Sequence, residues 1–220
     1  MRILLADDHA LFREGMHHVL RQLDDEASIM DAASFSEALS IAGKTSDLDL
    51  ALLDLKMPGS DGAASVKLFH ARYPNISIVV VSGADQRDDI VSVMNSGAMG
   101  FISKASNSKE MLQALRMVLD GGTYLPPQLL QQAAASLDEN RRDGRSWRTN
   151  KFGLTPRQME VLQHVSQGLT NKQISETTGL AEGTIKIHVA AAFQALRVNN
   201  RLEAVQEARR LGLLANAELS

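Results

Sequence analysis

The sequence predicts a doubly wound α/β domain on a five-stranded parallel sheet, followed by a small all-α domain of four helices. Three observations carry that prediction. Up to about residue 122, five short apolar runs alternate with helix-period segments, the alternation that builds a parallel sheet covered on both faces. Several of these runs end in polar groups: Asp7-Asp8, Asp54 and Ser82, with Lys104 just after the last run. Beyond residue 152 the strand-like runs stop, and capped helix starts recur at Thr155-Pro156 and Thr170-Asn171.

Ile3-Leu4-Leu5-Ala6 opens the sheet, and a helix follows with Leu11, Phe12, Met16, Val19, Leu20 and Leu23 on one broad face. The stretch from Ser28 to Ala33 reads as a second strand, and that from Phe35 to Ala42 as a second helix. The third run, Leu50-Ala51-Leu52-Leu53, is unbroken and apolar, the pattern of a strand buried on both faces. It delivers Asp54 as it ends. Pro58 and Gly59 then force a turn, because proline lacks a backbone donor and glycine tolerates positive φ. Asp54 therefore sits at the carboxyl edge of the sheet, where such folds bind ligands. A helix from about Gly62 to Arg72 is closed by Pro74, and a β-branched strand runs from Ile76 to Val81. A helix from about Gln86 ends before Gly97, its C′ glycine. Phe101-Ile102-Ser103 is the last strand, and a helix from about Lys109 to Leu119 ends at Gly121-Gly122.

Composition narrows the function classes. The chain has 220 residues, enough for two domains, each with its own core. The 23 basic and 26 acidic residues give a net charge of −3, so no global field points at nucleic acid. The halves differ, however. Met1 to Leu125 holds 11 basic and 17 acidic residues, while Lys151 to Ser220 holds 8 basic and 6 acidic. An acidic domain is thus joined to a mildly basic one. The absence of cysteine removes disulfides, thiolate zinc sites and thiol redox sensing. No stretch approaches the ~20 apolar residues of a membrane span, and the N-terminus enters a strand without a signal segment. A cytoplasmic protein with no membrane partner is expected.

If the polar strand ends meet at one edge, three carboxylates face a hydroxyl and an ammonium there. Close carboxylates repel one another, and an all-oxygen, partly hydrated cluster suits Mg²⁺ best. The motifs are Leu5-Ala6-Asp7-Asp8-His9, Asp54-Leu55-Lys56-Met57-Pro58-Gly59 with Asp61-Gly62, Val80-Val81-Ser82-Gly83, and Gly100-Phe101-Ile102-Ser103-Lys104. Together, in this order and at strand ends, they resemble the receiver domains of bacterial two-component response regulators, which have a flavodoxin-like fold. The resemblance implies that Asp54 accepts a phosphoryl group from a phosphohistidine on a sensor histidine kinase. It implies that Asp8, Asp54 and the backbone carbonyl of Lys56 hold Mg²⁺, with Asp7 acting through the ion's waters. Lys104 would pair with the phosphoryl group and Ser82 would bond one of its oxygens. Phe101 stands where the family keeps a switching aromatic ring, against the plainer reading of core packing. His9 reads as a helix-start residue, since no neighbouring histidine completes a metal site.

Residues 123–151 read as a linker, helix-capable from Gln128 to Ala135 and then charged and almost free of apolar residues. The lone Trp147 is an incidental exposed ring on this reading. In the last domain, 152–220, Thr155-Pro156-Arg157-Gln158 is a capped helix start that turns Met159, Leu162, Val165 and Leu169 inward. Thr170-Asn171-Lys172-Gln173 repeats the cap, and Gly179 ends a short helix. A longer helix from about Glu182 buries Ile185, Val189, Ala192, Phe193 and Leu196 until Asn199-Asn200 breaks it. Leu202, Val205 and Ala208 build the last helix. Two helices joined by a glycine turn form a helix-turn-helix, whose second member enters the DNA major groove.

The stretches Leu154-Thr155-Pro156-Arg157-Gln158, Gly168-Leu169-Thr170-Asn171-Lys172-Gln173-Ile174 and Gly183-Thr184-Ile185-Lys186-Ile187-His188-Val189 resemble the DNA-binding domain of LuxR/NarL-type regulators. The resemblance implies that the helix from about Glu182 to Leu196 reads DNA and that the last helix pairs two such domains, with Leu202, Val205 and Arg209 as dimerisation candidates. The outward face would then be Thr184, Lys186, Ile187, Ala190, Ala191 and Gln194, with Lys172 nearby. Ile187 or Ala190 would touch a thymine methyl and Gln194 a phosphate. Two departures from the family stand out. Ala181 cannot accept the bond that a serine or threonine cap provides, and Lys186 is the only early cation on the helix.

The whole chain is identified as a NarL-type response regulator. It would be no enzyme in the ordinary sense, catalysing only its own phosphorylation and dephosphorylation. Phosphorylation would favour a homodimer on paired half-sites of double-stranded DNA, with RNA polymerase a further candidate partner. An alternative is a regulator that works through protein contacts with weak or no DNA binding. A phosphatase with an aspartate nucleophile is disfavoured, because it needs a second aspartate where Lys56 stands.

Overall fold

The computed structural model describes residues 1–83, 90–127, 129–130 and 149–214. The chain divides into two compact units, Met1–Pro126 and Pro127–Ser220. The first holds β1 (Arg2–Ala6), α1 (Ala10–Leu23), β2 (Ser28–Ala32), α2 (Phe35–Lys44), β3 (Leu50–Asp54), α3 (Ala63–Arg72), β4 (Ser77–Ser82), α4 (Ile90–Asn95), β5 (Gly100–Ser103) and α5 (Ser108–Leu119). The alternation read from the sequence is present throughout. The first residues expected in α4 fall outside the described residues, as do Trp147 and most of the expected linker.

The strands form one parallel sheet in the order β2-β1-β3-β4-β5. β3 is central and buried along its whole length, which is why it reads as an unbroken apolar run. Alternate residues divide between the two faces. Ile3, Leu5, Leu50, Leu52, Val79, Val81 and Ile102 pack with Met16, Val19 and Leu20 of α1 and Met111, Ala114, Leu115 and Val118 of α5. The intervening residues Leu4, Ala51, Leu53, Ile78, Val80 and Phe101 are equally buried and point to the opposite face. Leu52 is wholly buried, and its truncation to alanine would cost about 3 kcal/mol or more through lost burial and a cavity.

β1 has β2 on one side and β3 on the other, so the chain reverses its direction of winding there. At such a switch point the loops following two neighbouring strands part and leave a crevice. The loops after β1 and β3 carry Asp7-Asp8 and the turn beyond Asp54. Fold and chemistry thus converge on one edge.

Over residues 149–214 the second unit forms four helices: α6 (Pro156–Ser166), α7 (Asn171–Thr178), α8 (Glu182–Leu196) and α9 (Arg201–Arg210). The Thr155 and Thr170 hydroxyls each accept a hydrogen bond from the backbone N–H three residues on, and Gln158 and Gln173 return the bond to complete two capping boxes. Gly179, at φ 70°, closes α7 in the left-handed conformation that leads into the turn. The core joins Leu154, Val161, Leu162, Val165 and Ile174 to Ile185, Val189, Ala192, Phe193 and Leu196 of α8, and to Ala204 and Ala208 of α9.

One expectation is corrected. Asn199-Asn200 does not break α8. That helix ends at Leu196, and Arg197 takes the left-handed conformation at φ 58°. Asn200 instead caps α9, accepting from the Glu203 N–H at 2.9 Å. Asparagine serves equally as a helix stop and as an N-cap, and the helix on its C-terminal side claims it here.

Candidate functional site

Asp54 ends β3 in register with Val81 of β4. The turn that follows is held by the Ser60 N–H donating to the Met57 carbonyl and by Gly59 at φ 79°. The Lys56 N–H folds back to donate to Asp54 Oδ1 at 3.1 Å, which orients the carboxylate. Asp7 and Asp54 have side chains only 1% and 2% exposed, whereas that of Asp8 is 35% exposed. Lys104 follows β5, and its backbone N–H donates to the Ser82 carbonyl at 2.8 Å. Its ammonium reaches Asp7 Oδ2 and Asp54 Oδ2, each at 2.7 Å. Burial pulls the Lys104 pKa down, but hydrogen bonds to Asp54 and Asp7, together with their charges, outweigh this and hold it above the ordinary lysine value.

Ser82 is fully buried at the end of β4, beside Asp54 and Lys104, and its hydroxyl donates to the Gly83 carbonyl at 3.4 Å. Phe101 pairs in register with Val80 and is also buried. The structure thus gathers Asp7, Asp8, Asp54, Ser82 and Lys104 at one edge, with the ring of Phe101 already inside.

Sequence reasoning missed the part played by the start of α1. His9 occupies the N-cap, but its side chain makes no capping bond. The ring turns to the carboxylates instead, with Nδ1 2.8 Å from Asp8 Oδ1 and 3.0 Å from Asp7 Oδ1. The Arg13 guanidinium donates to the Asp7 carbonyl at 2.6 Å, and the Phe12 ring lies 5.1 Å from Lys104 Nζ. Contiguity of His9 with the acidic pair was the available signal. One ligand atom from each of Asp7, Asp8, His9 and Asp54 lies within 4.8 Å of the others. This is an acidic cluster of the kind that holds Mg²⁺ in receiver domains, and its carboxylates fit a hard divalent cation.

In the second unit, α8 begins without a cap: Ala181 has extended backbone at φ −62° and ψ 144°, but no side-chain acceptor. The expected DNA-contacting residues of α8 differ in exposure. Thr184, Lys186, Ile187, Ala190 and Ala191 are buried, and only Gln194 of the proposed contacts on this helix is exposed. Ile187, Ala190 and Ala191 are small or apolar, so burying them carries little desolvation cost. Lys186 does carry one: burial lowers its pKa, against the opposing charge and hydrogen bond of Glu182, whose Oε1 is 3.7 Å from Nζ. Lys172 is exposed in the first turn of α7. Leu202 is 69% exposed on α9, whereas Val205 leans on the domain core and Arg209 is half-buried.

Residues 3–116 match the response regulator receiver domain, and residues 153–208 match the bacterial regulatory proteins of the luxR family. The chain belongs to the NarL/LuxR-type two-component response regulators. This response regulator is 36% identical over 208 residues to the Glycerol metabolism activator of Pseudomonas putida, covering 94% of each chain. It is 31% identical over 202 residues to the nitrate/nitrite response regulator protein NarL of Escherichia coli, covering 92% of each. Among solved structures, its fold matches that of RcsB, described as two dimers bound to two parallel DNAs, with a TM-score of 0.56, 20% identity, and 98% and 99% of the two chains covered. The response regulator is a phosphoacceptor rather than an enzyme. Among the described residues, no helix is long and apolar enough to cross a membrane.

Proposed function

We propose that Asp54 is the phosphorylation switch of this response regulator, and that its phosphorylation controls dimerisation and sequence-specific DNA binding by α8. The observation that carries this is the position of Asp54: a carboxylate only 2% exposed, at the end of the central strand, contacted by Lys104 at 2.7 Å. A carboxylate oxygen of Asp54 attacks the phosphorus of a phosphohistidine on a sensor histidine kinase. The phosphorus–nitrogen bond breaks, and its electron pair leaves on the imidazole nitrogen. Such transfer needs little beyond in-line positioning and neutral surroundings for the phosphoryl oxygens. Lys104 is placed to follow the new charge, since its ammonium already touches Asp54. The Ser82 hydroxyl, one strand away, takes a phosphoryl oxygen. Asp8, Asp54 and the Lys56 carbonyl would hold Mg²⁺, with Asp7 acting through its waters, and the ion would supply the remaining charge neutralisation.

Phosphorylation adds about 1.5–2 negative charges at Asp54. Phe101 enters this reading with its ring already inside, so phosphorylation would hold a position rather than create it. Turning 1% active into 99% needs roughly 5.5 kcal/mol, more than one hydroxyl bond supplies. Coupling to dimerisation and to DNA would provide the rest. Leu202 is the exposed apolar anchor available on α9, with Val205 and Arg209 beside it. DNA contacts are assigned to Thr184, Lys186, Ile187, Ala190, Gln194 and Lys172, which requires the buried part of that face to be uncovered. RNA polymerase would be met at the promoter, in the cytoplasm. The dimeric DNA complex of RcsB supports the pairing on DNA.

The test is Mg²⁺-dependent labelling with a small phosphodonor, followed by the mass in solution, for wild type and Asp54→Asn. Wild type should label and dimerise, and the variant should do neither. Labelling that survives in Asp54→Asn would place the acceptor elsewhere.

A further inference from the structure

Lys104 works among groups that do not all pass through the reaction unchanged. Its ammonium touches Asp54 Oδ2 and Asp7 Oδ2, each at 2.7 Å, and lies 3.4 Å from Nδ1 of His9, whose ring is 66% exposed. Another group faces it from α1: the ammonium stands over the Phe12 ring, 5.1 Å from the centroid. A cation within ~6 Å of a ring face is attracted by the ring's quadrupole, and more strongly where water is excluded. The Lys104 side chain is only 19% exposed. The ring is itself held in place. Phe12 packs on the core that joins α1 and α5 to the sheet. Beside it, Arg13 ties the first turn of α1 to the loop after β1, donating to the Asp7 carbonyl at 2.6 Å. Packing alone does not call for an aromatic residue there, because the rest of the core-facing row of α1 is aliphatic: Met16, Val19, Leu20 and Leu23.

We propose that Phe12 is a positioning residue for phosphoryl transfer to Asp54, its ring holding the Lys104 ammonium at the sheet edge while the carboxylate contacts change. This rests on Asp54 being the acceptor, as assigned above. As an Asp54 oxygen bonds to phosphorus, the carboxylate gives up its charge and the phosphoryl oxygens bring theirs, so the ammonium must shift to follow them. Hydrogen bonds to Asp54 and Asp7 are directional and resist that shift. The pull of the ring face varies gradually with position and survives it. The ring carries no charge and takes no part in the transfer, so it does not compete with the phosphoryl group for the ammonium. It also keeps water off one side of Nζ, which strengthens the attraction between the ammonium and the phosphoryl oxygens.

The experiment follows the rate at which the full-length protein is labelled by acetyl phosphate in Mg²⁺. Phe12 is replaced by leucine and, separately, by mono-, di- and trifluorophenylalanine, which change the ring's shape little but drain negative charge from its face stepwise. Phe12→Leu should label roughly three- to tenfold more slowly than wild type, and the fluorinated series should slow with each added fluorine. A rate indifferent to fluorination would overturn the proposal and leave the ring as core packing, because packing is the property that the series retains. Phe12→Leu labelling as fast as wild type would overturn it too. Should the leucine variant fail to fold, the fluorinated series decides alone. Asp54→Asn tests the acceptor separately. Labelling that persists in that variant removes the reading beneath the proposal and the proposal with it, whereas a flat fluorinated series beside an unlabelled Asp54→Asn removes Phe12 alone.

Discussion

Lys104 Nζ stands 2.7 Å from Asp54 Oδ2, and the same nitrogen is 2.7 Å from Asp7 Oδ2. One ammonium thus separates two carboxylates that are almost wholly buried. Removing one partner of a buried ion pair costs roughly 3–5 kcal/mol, because the charge left behind loses its counter-ion. Lys104→Met should therefore lower the thermal midpoint of the receiver domain in chelator. Added Mg²⁺ should restore much of that loss, and should stabilise the variant more than wild type. A fall that Mg²⁺ leaves untouched would mean that the lysine is structural and that no cation can take its place.

The same contact predicts a pH dependence. Lys104 has a pKa above the ordinary lysine value of 10.5, because its hydrogen bonds to Asp54 and Asp7 overcome the effect of burial. A raised pKa gives stability that is fully present below the unfolded value and is lost as pH rises through the folded value. Denaturant melts in chelator between about pH 9 and pH 11.5 should show wild type losing stability more steeply than Lys104→Met. Parallel curves would remove the ammonium from the account.

Ala181 has the extended backbone of an N-cap and no acceptor to use there. Ala181→Ser would supply a hydroxyl for the orphan N–H groups of the first turn of α8, and such caps are worth roughly 0.5–2 kcal/mol. The second unit should become more stable by about 1 kcal/mol in denaturant melts. An unchanged midpoint would show that the first turn already frays in the native state.

Arg197 is the one non-glycine residue at positive φ among the described residues. The left-handed conformation costs an ordinary residue roughly 1–2 kcal/mol, and glycine gives part of that back through the freedom it has when unfolded. Arg197→Gly should stabilise the second unit by roughly 0.5–1 kcal/mol. A loss of stability would mean that the arginine side chain contributes more than its backbone costs.

How much of this was legible depends on whether a residue's role is local. β3 announced itself because burial on both faces leaves an unbroken apolar run, and Asp54 because Pro58 and Gly59 mark where that run must turn. The two capping boxes were legible for the same reason, since Thr155–Gln158 and Thr170–Gln173 are four-residue patterns. His9 was less so: it adjoins Asp7-Asp8 in the sequence, but its ring could as well have capped α1, and its contacts with the two carboxylates decide otherwise. The burial of Ile187, Ala190 and Ala191 was equally hidden. A helix whose surface is apolar on more than one side carries no periodicity that says which side stays in water. Asn199-Asn200 was ambiguous by chemistry, because the same side chain ends one helix or begins the next.

Lys186 provides the sharpest test of the DNA-reading face. Its side chain is buried beside Glu182, and burial lowers its pKa against the pull of that carboxylate. A lowered pKa means that the native state binds fewer protons than the unfolded chain between the folded value and 10.5. Stability contributed by this group therefore rises with pH across that window. Lys186→Met should abolish that rise and leave stability at neutral pH equal to or above that of wild type, because an apolar group replaces a desolvated charge. DNA binding should move the other way. If the ammonium meets a phosphate in the complex, its loss weakens binding to all sequences alike and lowers the slope of log affinity against log salt by about 1. Retained affinity with an unchanged slope would transfer the phosphate contact to another cation, and Lys172, exposed in the first turn of α7, would be the next to substitute.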